Sequence, residues 1–210
     1  MATKVLIFDC DGVLFDSKAA NIAFYNHILS RLKLPPMAPD EVEYVHVSTA
    51  EGALNYLLTR RDPSLLDKAH KYRRIMDYTP FISLMRMEPH LKELLKDLPP
   101  DIKRAVSTNR TYTIADVLRI HGLEEEFDLV VSALDVKNPK PHPESILKIL
   151  RHFNITPSEA LFVGDSEVDQ ESAARSGVAF VAYKSRSLKA DYYIDDLLRI
   201  REIIAHRGGG

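Results

Sequence analysis

Five short apolar runs, each bounded by turn residues, constrain the fold of this chain more than any other feature. They lie at Val5–Phe8, Arg104–Ser107, Leu129–Ser132, Ala160–Val163 and Val178–Ala182. Runs of this length and composition are typical of parallel strands that are buried on both faces. Between the later runs, apolar residues recur at helical spacing, for example at Ile114, Val117 and Leu118. The alternation of strand and helix predicts an α/β fold built on a parallel sheet.

The interval 17–87 breaks this alternation. Its apolar residues, among them Ile22, Tyr25 and Ile28, are spaced three and four apart, which indicates several helices and no convincing strand. We therefore expect an α/β core domain formed by residues 1–16 and 88–207, with a helical domain of residues 17–87 inserted after the first strand. The closing glycines, 208–210, are expected to form a flexible tail.

The composition excludes several classes of protein. With 45% hydrophobic and 28% charged residues it is that of a globular protein, and no window approaches the roughly 18 apolar residues of a membrane span. A net charge of −2 with scattered basic residues argues against binding to nucleic acid or to an anionic membrane. The single cysteine, Cys10, cannot form an internal disulfide, and strand alternation directs its side chain into the core. The amino terminus lacks a signal-peptide core, so we expect a cytoplasmic protein.

Two aspartates end the first strand. Asp9 and Asp11 are two residues apart, so both carboxylates should emerge on one side at the carboxyl edge of the sheet, and Gly12 then lets the chain turn away. Carboxylates this close should not both ionise freely without a cation, so either one keeps a proton or a metal lies between them. The alternative is an ordinary solvated turn at the end of a strand.

The fourth strand also runs into acids. Asp165 follows Val163-Gly164, and Asp169 lies one helical turn further on. Acids at the ends of adjacent parallel strands form an oxygen-rich pocket suited to Mg²⁺. Asp165 is therefore a candidate metal ligand, whereas Asp169 either orients a metal-bound group or is a solvated acid at a helix N-terminus.

Two further segments offer groups that bind anions. The second strand ends in Ser107-Thr108-Asn109-Arg110, whose hydroxyl and amide donors are expected at a helix N-terminus, unless Thr108 or Asn109 simply caps that helix. Lys140 lies in a loop stiffened by Pro141 and Pro143 and is either a cation of the site or a solvated lysine.

Taken together and in this order, the four motifs DCDGVL (9–14), STN (107–109), KPHP (140–143) and GDSEVD (164–169) resemble those of the haloacid dehalogenase-like hydrolase superfamily. They frame residues 4–177, and the joint match is highly specific. The resemblance implies a Rossmann-like sheet with a small helical cap at 17–87. It also implies a Mg²⁺-dependent phosphatase that acts on a small phosphorylated metabolite, and phosphoglycolate-phosphatase-like enzymes are the most similar in motif spacing and cap position.

The resemblance also assigns catalytic roles. It makes Asp9 the nucleophile that forms an aspartyl-phosphate, and Asp11 the general acid and base. It has Mg²⁺ held by the Asp9 carboxylate, the Asp11 main-chain carbonyl and Asp165.

The resemblance further implies which residues recognise the substrate. Thr108, Asn109 and Lys140 would bind the oxygens of the transferring phosphoryl group. Related caps present a substrate loop near residues 45–51, which makes His46, Ser48 and Thr49 candidates for specificity, although a lone cap histidine is more often packed or solvated.

Two other functions remain open. A sugar phosphomutase of the same superfamily uses the same four motifs, but the arginine expected in its cap loop has no counterpart within His46–Glu51. A family member that has lost activity and serves as a binding module would be expected to lack Asp9, Asp11 or Lys140, and this chain keeps all three. Dehalogenases and phosphonoacetaldehyde hydrolases are disfavoured because Asp11 has no acidic counterpart in them.

Overall fold

A strand with no solvent exposure, β1 (Val5–Phe8), lies in the interior of a six-stranded parallel sheet. A computed structural model of the protein describes residues 2–208, apart from the side chain of Val47. The chain divides into two compact units, one formed by Met1–Phe15 with Met87–Gly210 and the other by Asp16–Arg86.

Besides β1, the sheet of the first unit contains β4 (Lys103–Ser107), β5 (Leu129–Val131), β6 (Ala160–Gly164), β7 (Ala179–Tyr183) and β8 (Tyr192–Ile194). The strands lie in the order β5-β4-β1-β6-β7-β8. Phe8, the last residue of β1, pairs with Val106 of β4 and with Val163 of β6. Because all the strands are parallel, their carboxyl ends meet at one edge, and the residues that follow them lie close together.

Five helices belong to the same unit: α6 (Leu91–Asp97), α7 (Ile114–Ile120), α8 (Glu144–Phe153), α9 (Glu167–Ser176) and α10 (Ile200–Gly208). Helix α8 illustrates how these helices pack, since its buried residues Ile146, Ile149 and Leu150 are spaced three and one apart and lie on one face. This face joins a core cluster that includes Val5 and Phe162 of the sheet. The predicted α/β fold with a parallel sheet is confirmed.

The second unit is helical, as predicted for the insertion after β1. Its helices are α1 (Lys18–Arg31), α2 (Pro39–Val47), α3 (Ala50–Thr59), α4 (Leu66–Ile75) and α5 (Thr79–Ile82). The unit has its own core, in which Ile28, Leu29, Leu54 and Leu57 are completely buried. Each such aliphatic side chain contributes about 1.5–3 kcal/mol by leaving water, so this core stabilises the helical unit from within.

The structure differs from the sequence-based expectation in three places. Strand β8 is missing from the prediction, because Tyr192–Ile194 is short and lies next to acids on both sides, so it does not stand out as an apolar run. Two short strands, β2 (Phe15–Asp16) and β3 (Arg86–Met87), form a separate two-stranded sheet, although no strand was expected within 17–87. Gly208 is the last residue of α10 and is not part of a tail, while Gly209 and Gly210 lie outside the described residues. Among residues 2–208, no helix has the length and apolar character that crossing a membrane requires.

Candidate active site

The carboxyl ends of the central strands place the first predicted residues at one edge of the sheet. Asp9 continues the ladder one residue beyond β1, since its N–H donates to the Val163 carbonyl at 2.9 Å. Thr108 does the same beyond β4, since its N–H donates to the Val131 carbonyl at 3.0 Å. Both residues are buried, so the alternative of a solvated turn does not apply to Asp9. Backbone pairing therefore fixes the main-chain positions of Asp9 and Thr108, from which their side chains extend.

Lys140 is the cation of this site. Its Nζ lies 2.7 Å from Oδ1 of Asp9 and 2.6 Å from Oδ1 of Asp169, and the residue is only 5% exposed. The alternative of a solvated lysine is therefore wrong. Burial lowers the pKa of Lys140, but the adjacent carboxylates of Asp169 and Asp9 outweigh burial and raise it overall. Lys140 is therefore a permanent positive charge between two acids.

Asn109 holds the loop that carries Lys140. Its Nδ2 donates to the main-chain carbonyl of Lys140 at 3.0 Å, whereas its Oδ1 is buried without a hydrogen-bond partner among the described residues. Neither Thr108 nor Asn109 caps a helix, because α7 begins only at Ile114. The expectation that they lie at a helix N-terminus is wrong, and their position is the end of a strand.

Three carboxylates converge beside Lys140. Asp9, Asp165 and Asp169 each offer one oxygen, and these oxygens lie within 4.8 Å of one another. Burial, together with the neighbouring acids, raises the pKa of Asp165 to about 8. Burial also raises the pKa of Asp9 to about 7, although Lys140 opposes this shift. Three acids against one ammonium leave an excess of negative charge that a divalent metal can neutralise, and carboxylate oxygens are ligands suited to a hard cation.

Two glycines make room for this cluster. Gly12 has a φ of +84°, and a Cβ at this position would lie 2.0 Å from Oδ2 of Asp165. A Cβ on Gly164 would lie 2.5 Å from Cβ of Asp169. Any side chain at either position would collide with an acid of the cluster, so both glycines are needed for the acids to approach.

Asp169 is completely buried, which excludes the alternative of a solvated helix acid. Its Oδ1 accepts from Lys140, and its Oδ2 accepts from the Oγ of Ser166, the N-cap residue of α9, at 2.6 Å. With both oxygens engaged, Asp169 fixes Lys140 in place as well as adding negative charge to the cluster.

The carboxylate of Asp11 is paired with a residue that the sequence analysis did not assign to the site. Nε and Nη2 of Arg110 lie 2.8 and 2.6 Å from the two oxygens of Asp11. From the sequence, a proton or a metal ion is expected to separate the charges of Asp9 and Asp11, whereas the structure places an arginine against Asp11. The sequence carries no local signal for this pairing, because 99 positions separate the two residues.

The cap candidates make local contacts within the helical unit. Nδ1 of His46 lies 3.1 Å from Nδ2 of Asn21, within hydrogen-bonding distance. Ser48 donates to the Tyr44 carbonyl at 2.6 Å, and Thr49 accepts from the N–H of Gly52 as the N-cap of α3. Their role in specificity stays a prediction.

Cys10 lies between the two aspartates that follow β1 but is fully buried. Burial raises the pKa of its thiol well above the usual value, which keeps it from acting as a nucleophile. The predicted place of Cys10 in the core is confirmed.

Comparison with known proteins agrees with this geometry. The family described as haloacid dehalogenase-like hydrolase matches residues 6–183. Pyrophosphatase PpaX of Bacillus cereus (strain Q1) is 27% identical over 198 residues, which cover 93% of this chain and 89% of that protein. The crystal structure of a HAD-superfamily hydrolase, subfamily IA, variant 1, from Geobacter sulfurreducens PCA is 38% identical, with a TM-score of 0.85 over 96% of this chain and 100% of that chain.

A further structural relative, described as a predicted phosphoglycolate phosphatase from Haemophilus somnus 129PT, is 23% identical with a TM-score of 0.79. It covers 96% of this chain and 97% of that chain, and at this identity it shows the fold alone. The predicted family, the α/β fold and the enzyme class of haloacid dehalogenase-like phosphohydrolases are confirmed. With the family match extending over most of the chain, this protein belongs to the haloacid dehalogenase-like hydrolases.

Proposed function

We propose that the protein is a Mg²⁺-dependent phosphatase that hydrolyses a small phosphate monoester through an aspartyl-phosphate on Asp9. The observation that carries the proposal is the buried contact of Lys140 with Asp9 and Asp169, next to Asp165. A nucleophilic carboxylate must meet a phosphoryl group that is itself negative. An adjacent fixed cation and a metal reduce this repulsion, which is the main obstacle to the reaction.

The residues present suit Mg²⁺. The Asp9 and Asp165 carboxylates and the main-chain carbonyl of Asp11 would hold the ion. All of these ligands are oxygen atoms, which Mg²⁺ prefers. Asp169 would orient the ligands from outside the coordination shell, since both its oxygens already accept hydrogen bonds from Lys140 and Ser166. When bound, the ion supplies positive charge to the phosphoryl oxygens.

In the first step, a carboxylate oxygen of Asp9 attacks phosphorus while the bond to the leaving oxygen breaks. Asp11, in its protonated form, gives its proton to that leaving oxygen. Lys140 and the hydroxyl of Thr108 face the charge that spreads over the phosphoryl oxygens. The oxygen of this hydroxyl accepts from the Arg110 N–H at 3.0 Å, which leaves its O–H to donate. Asn109 contributes by holding the Lys140 loop.

In the second step, water attacks the phosphorus of the aspartyl-phosphate. Asp11, now a carboxylate, takes the proton of that water, and the carboxylate of Asp9 is released with inorganic phosphate. The site returns to its starting state, so one residue serves as acid and then as base.

Phosphoglycolate-like small monoesters are the proposed substrate class, on the similarity in motif spacing and in the place of the helical insertion. Inorganic pyrophosphate is a second candidate, because the Bacillus cereus relative, which aligns with 93% of this chain, carries the name pyrophosphatase. Both would use the same two steps, since each presents a terminal phosphoryl group to Asp9.

The test is a panel of phosphoglycolate, pyrophosphate, acetyl phosphate and β-glucose 1-phosphate, assayed for phosphate release with Mg²⁺ and after chelation. Acid quenching followed by peptide mass spectrometry should place a phosphoryl group on Asp9. Asp9→Asn, which is nearly isosteric, should abolish turnover, while Asp116→Asn on the exposed surface of α7 should not. Isomerisation of the sugar phosphate without phosphate release would instead identify a phosphomutase, and turnover by Asp9→Asn would refute the mechanism.

A further inference from the structure

Hydrogen bonds to protein oxygens hold the guanidinium of Arg110 in place. Its Nε and Nη2 contact the two oxygens of Asp11, and its Nη1 lies 3.3 Å from the Oγ1 of Thr113. The residue is 9% exposed. All three nitrogens therefore lie within hydrogen-bonding distance of an oxygen of the protein.

The backbone of Arg110 is held as well. Its N–H donates to Oγ1 of Thr108 at 3.0 Å, and its carbonyl accepts from the N–H of Ala133 at 2.9 Å. Thr108 follows β4, Ala133 follows β5, and Thr113 is the residue before α7. The loop between β4 and α7 and the segment that follows β5 thus determine together where Arg110 lies.

This arrangement is better suited to orientation than to stability. A buried ion pair is weak support for stability, because removing both charges from water costs about as much as their attraction returns. A planar guanidinium that binds both oxygens fixes the plane of a carboxylate, which a point charge such as that of Lys140 cannot do.

We propose that Arg110 is a positioning residue that sets the orientation of the Asp11 carboxyl group for proton transfer. The inference rests on the proposed phosphatase function and deepens it. Asp9 and Asp11 each have their own cation, Lys140 and Arg110, supplied by different loops. This division lets two acids only two residues apart take different roles.

Arg110 can stay in contact with the Asp11 carboxyl group throughout both proton transfers. When Asp11 carries the proton for the leaving group on one oxygen, its other oxygen can still accept a hydrogen bond from Arg110. After the proton has moved to the leaving oxygen, both oxygens accept again, as they do in the structure. When Asp11 then takes a proton from water, one of the two hydrogen bonds is released once more. Arg110 itself neither gains nor loses a proton.

The test compares Arg110→Met, which keeps most of the side-chain volume, with Arg110→Lys, which keeps the charge but not the fork. The matched control is Arg104→Met, which removes a partly buried arginine and its 3.0 Å ion pair with Glu126 from the same region of the fold. Steady-state kinetics are measured on aryl and alkyl phosphates whose leaving groups differ in basicity, and thermal unfolding monitors the fold.

We expect Arg110→Met to lower kcat by about 10- to 100-fold, less than the roughly 10²- to 10⁴-fold that general acid–base catalysis supplies in total. KM should change little. The loss should be larger for poor leaving groups, because only they need the proton, and Arg110→Lys should fall between Arg110→Met and the wild type. Arg104→Met should keep the wild-type kcat.

Three results would overturn the inference: a raised KM with unchanged kcat, which would make Arg110 a substrate ligand; an equal loss for all leaving groups; or a wild-type kcat in Arg110→Met. If Arg110→Met does not fold, a wild-type kcat in Arg110→Lys overturns it equally. Failure of the proposed function is distinguishable, because the wild-type enzyme would then release no phosphate from any ester.

Discussion

Oδ1 of Asp9 accepts a hydrogen bond from Nζ of Lys140 at 2.7 Å, although 131 positions of sequence separate the two residues. The same Nζ contacts Asp169 at 2.6 Å. One buried ammonium, on the loop that follows β5, thus connects the end of β1 with the first turn of α9. Its loss would affect the stability of the site and its chemistry together.

Lys140→Met should therefore depress turnover of every substrate by about 10²- to 10³-fold, the usual loss when a fixed group facing the transition-state charge is removed. It should also destabilise the fold by up to about 3–5 kcal/mol, because Asp9 and Asp169 lose their buried countercharge. Kinetics and denaturant unfolding measure the two effects. Lys148→Met, which removes an exposed lysine of α8, is the control. A selective loss for only some substrates would contradict the proposed role of Lys140.

Metal binding should depend on pH. Burial raises the pKa of Asp9 to about 7 and of Asp165 to about 8 in the metal-free protein, so both acids hold protons at lower pH. The ion must displace these protons, so the affinity for Mg²⁺ should rise with pH through this window by up to about tenfold per unit for each proton. It should level off above about pH 8.

Calorimetry of Mg²⁺ binding in buffers of different ionisation enthalpy measures the protons released. The sign for stability follows from the same shifts. Folding raises the pKa of Asp9 from 3.8 to about 7 and that of Asp165 from 3.8 to about 8, so the metal-free protein should lose stability as pH rises from about 4 to about 8. Added Mg²⁺ should restore the stability. An affinity that is independent of pH would exclude Asp9 and Asp165 as the ligands.

Gly12→Ala should remove Mg²⁺ binding and activity. The new Cβ would overlap the Asp165 carboxylate at 2.0 Å and force it out of the cluster. The matched control is Gly122→Ala, because Gly122 also has a positive φ, +65°, while a Cβ there would meet only the Nζ of Lys92 at 3.7 Å. Both variants should lose roughly 1–2 kcal/mol through left-handed backbone strain. Only Gly12→Ala should lose Mg²⁺ affinity in calorimetry, and equal Mg²⁺ affinity in the two variants would refute the argument.

The helical unit should decide which ester is preferred. Asp9, Lys140 and their neighbours recognise the phosphoryl group that all candidate substrates share, so discrimination needs other groups. His46→Ala, Ser48→Ala and Thr49→Ser should change the ranking of substrates in kcat/KM, and Thr49→Ser keeps the cap of α3.

Hydrolysis of acetyl phosphate, which has little beyond its phosphoryl group to recognise, should stay within about tenfold, or about 1.4 kcal/mol. His152→Ala, at an exposed position of α8, serves as the control. The same ranking in all three cap variants would place specificity elsewhere, for example at Lys18.

The sequence by itself determined five of the six strands of the main sheet, the helical insertion and the order of the polar motifs. Apolar runs and helical spacing are local properties, and motifs at the ends of parallel strands must gather at one edge whatever the details of packing. Asp9, Asp165 and Lys140 could be selected as site residues in this way.

Only the tertiary structure decided which charges pair. Arg110 contacts Asp11 across 99 positions, and no local pattern records such a contact. Burial of Asp169 and Lys140 likewise depends on how β1 and β6 align and on two glycines that admit the acids. Side-chain pairing and desolvation arise from groups brought together by the whole fold, which is why an arginine that looks like an ordinary loop residue in the sequence is the partner of Asp11, the proposed acid.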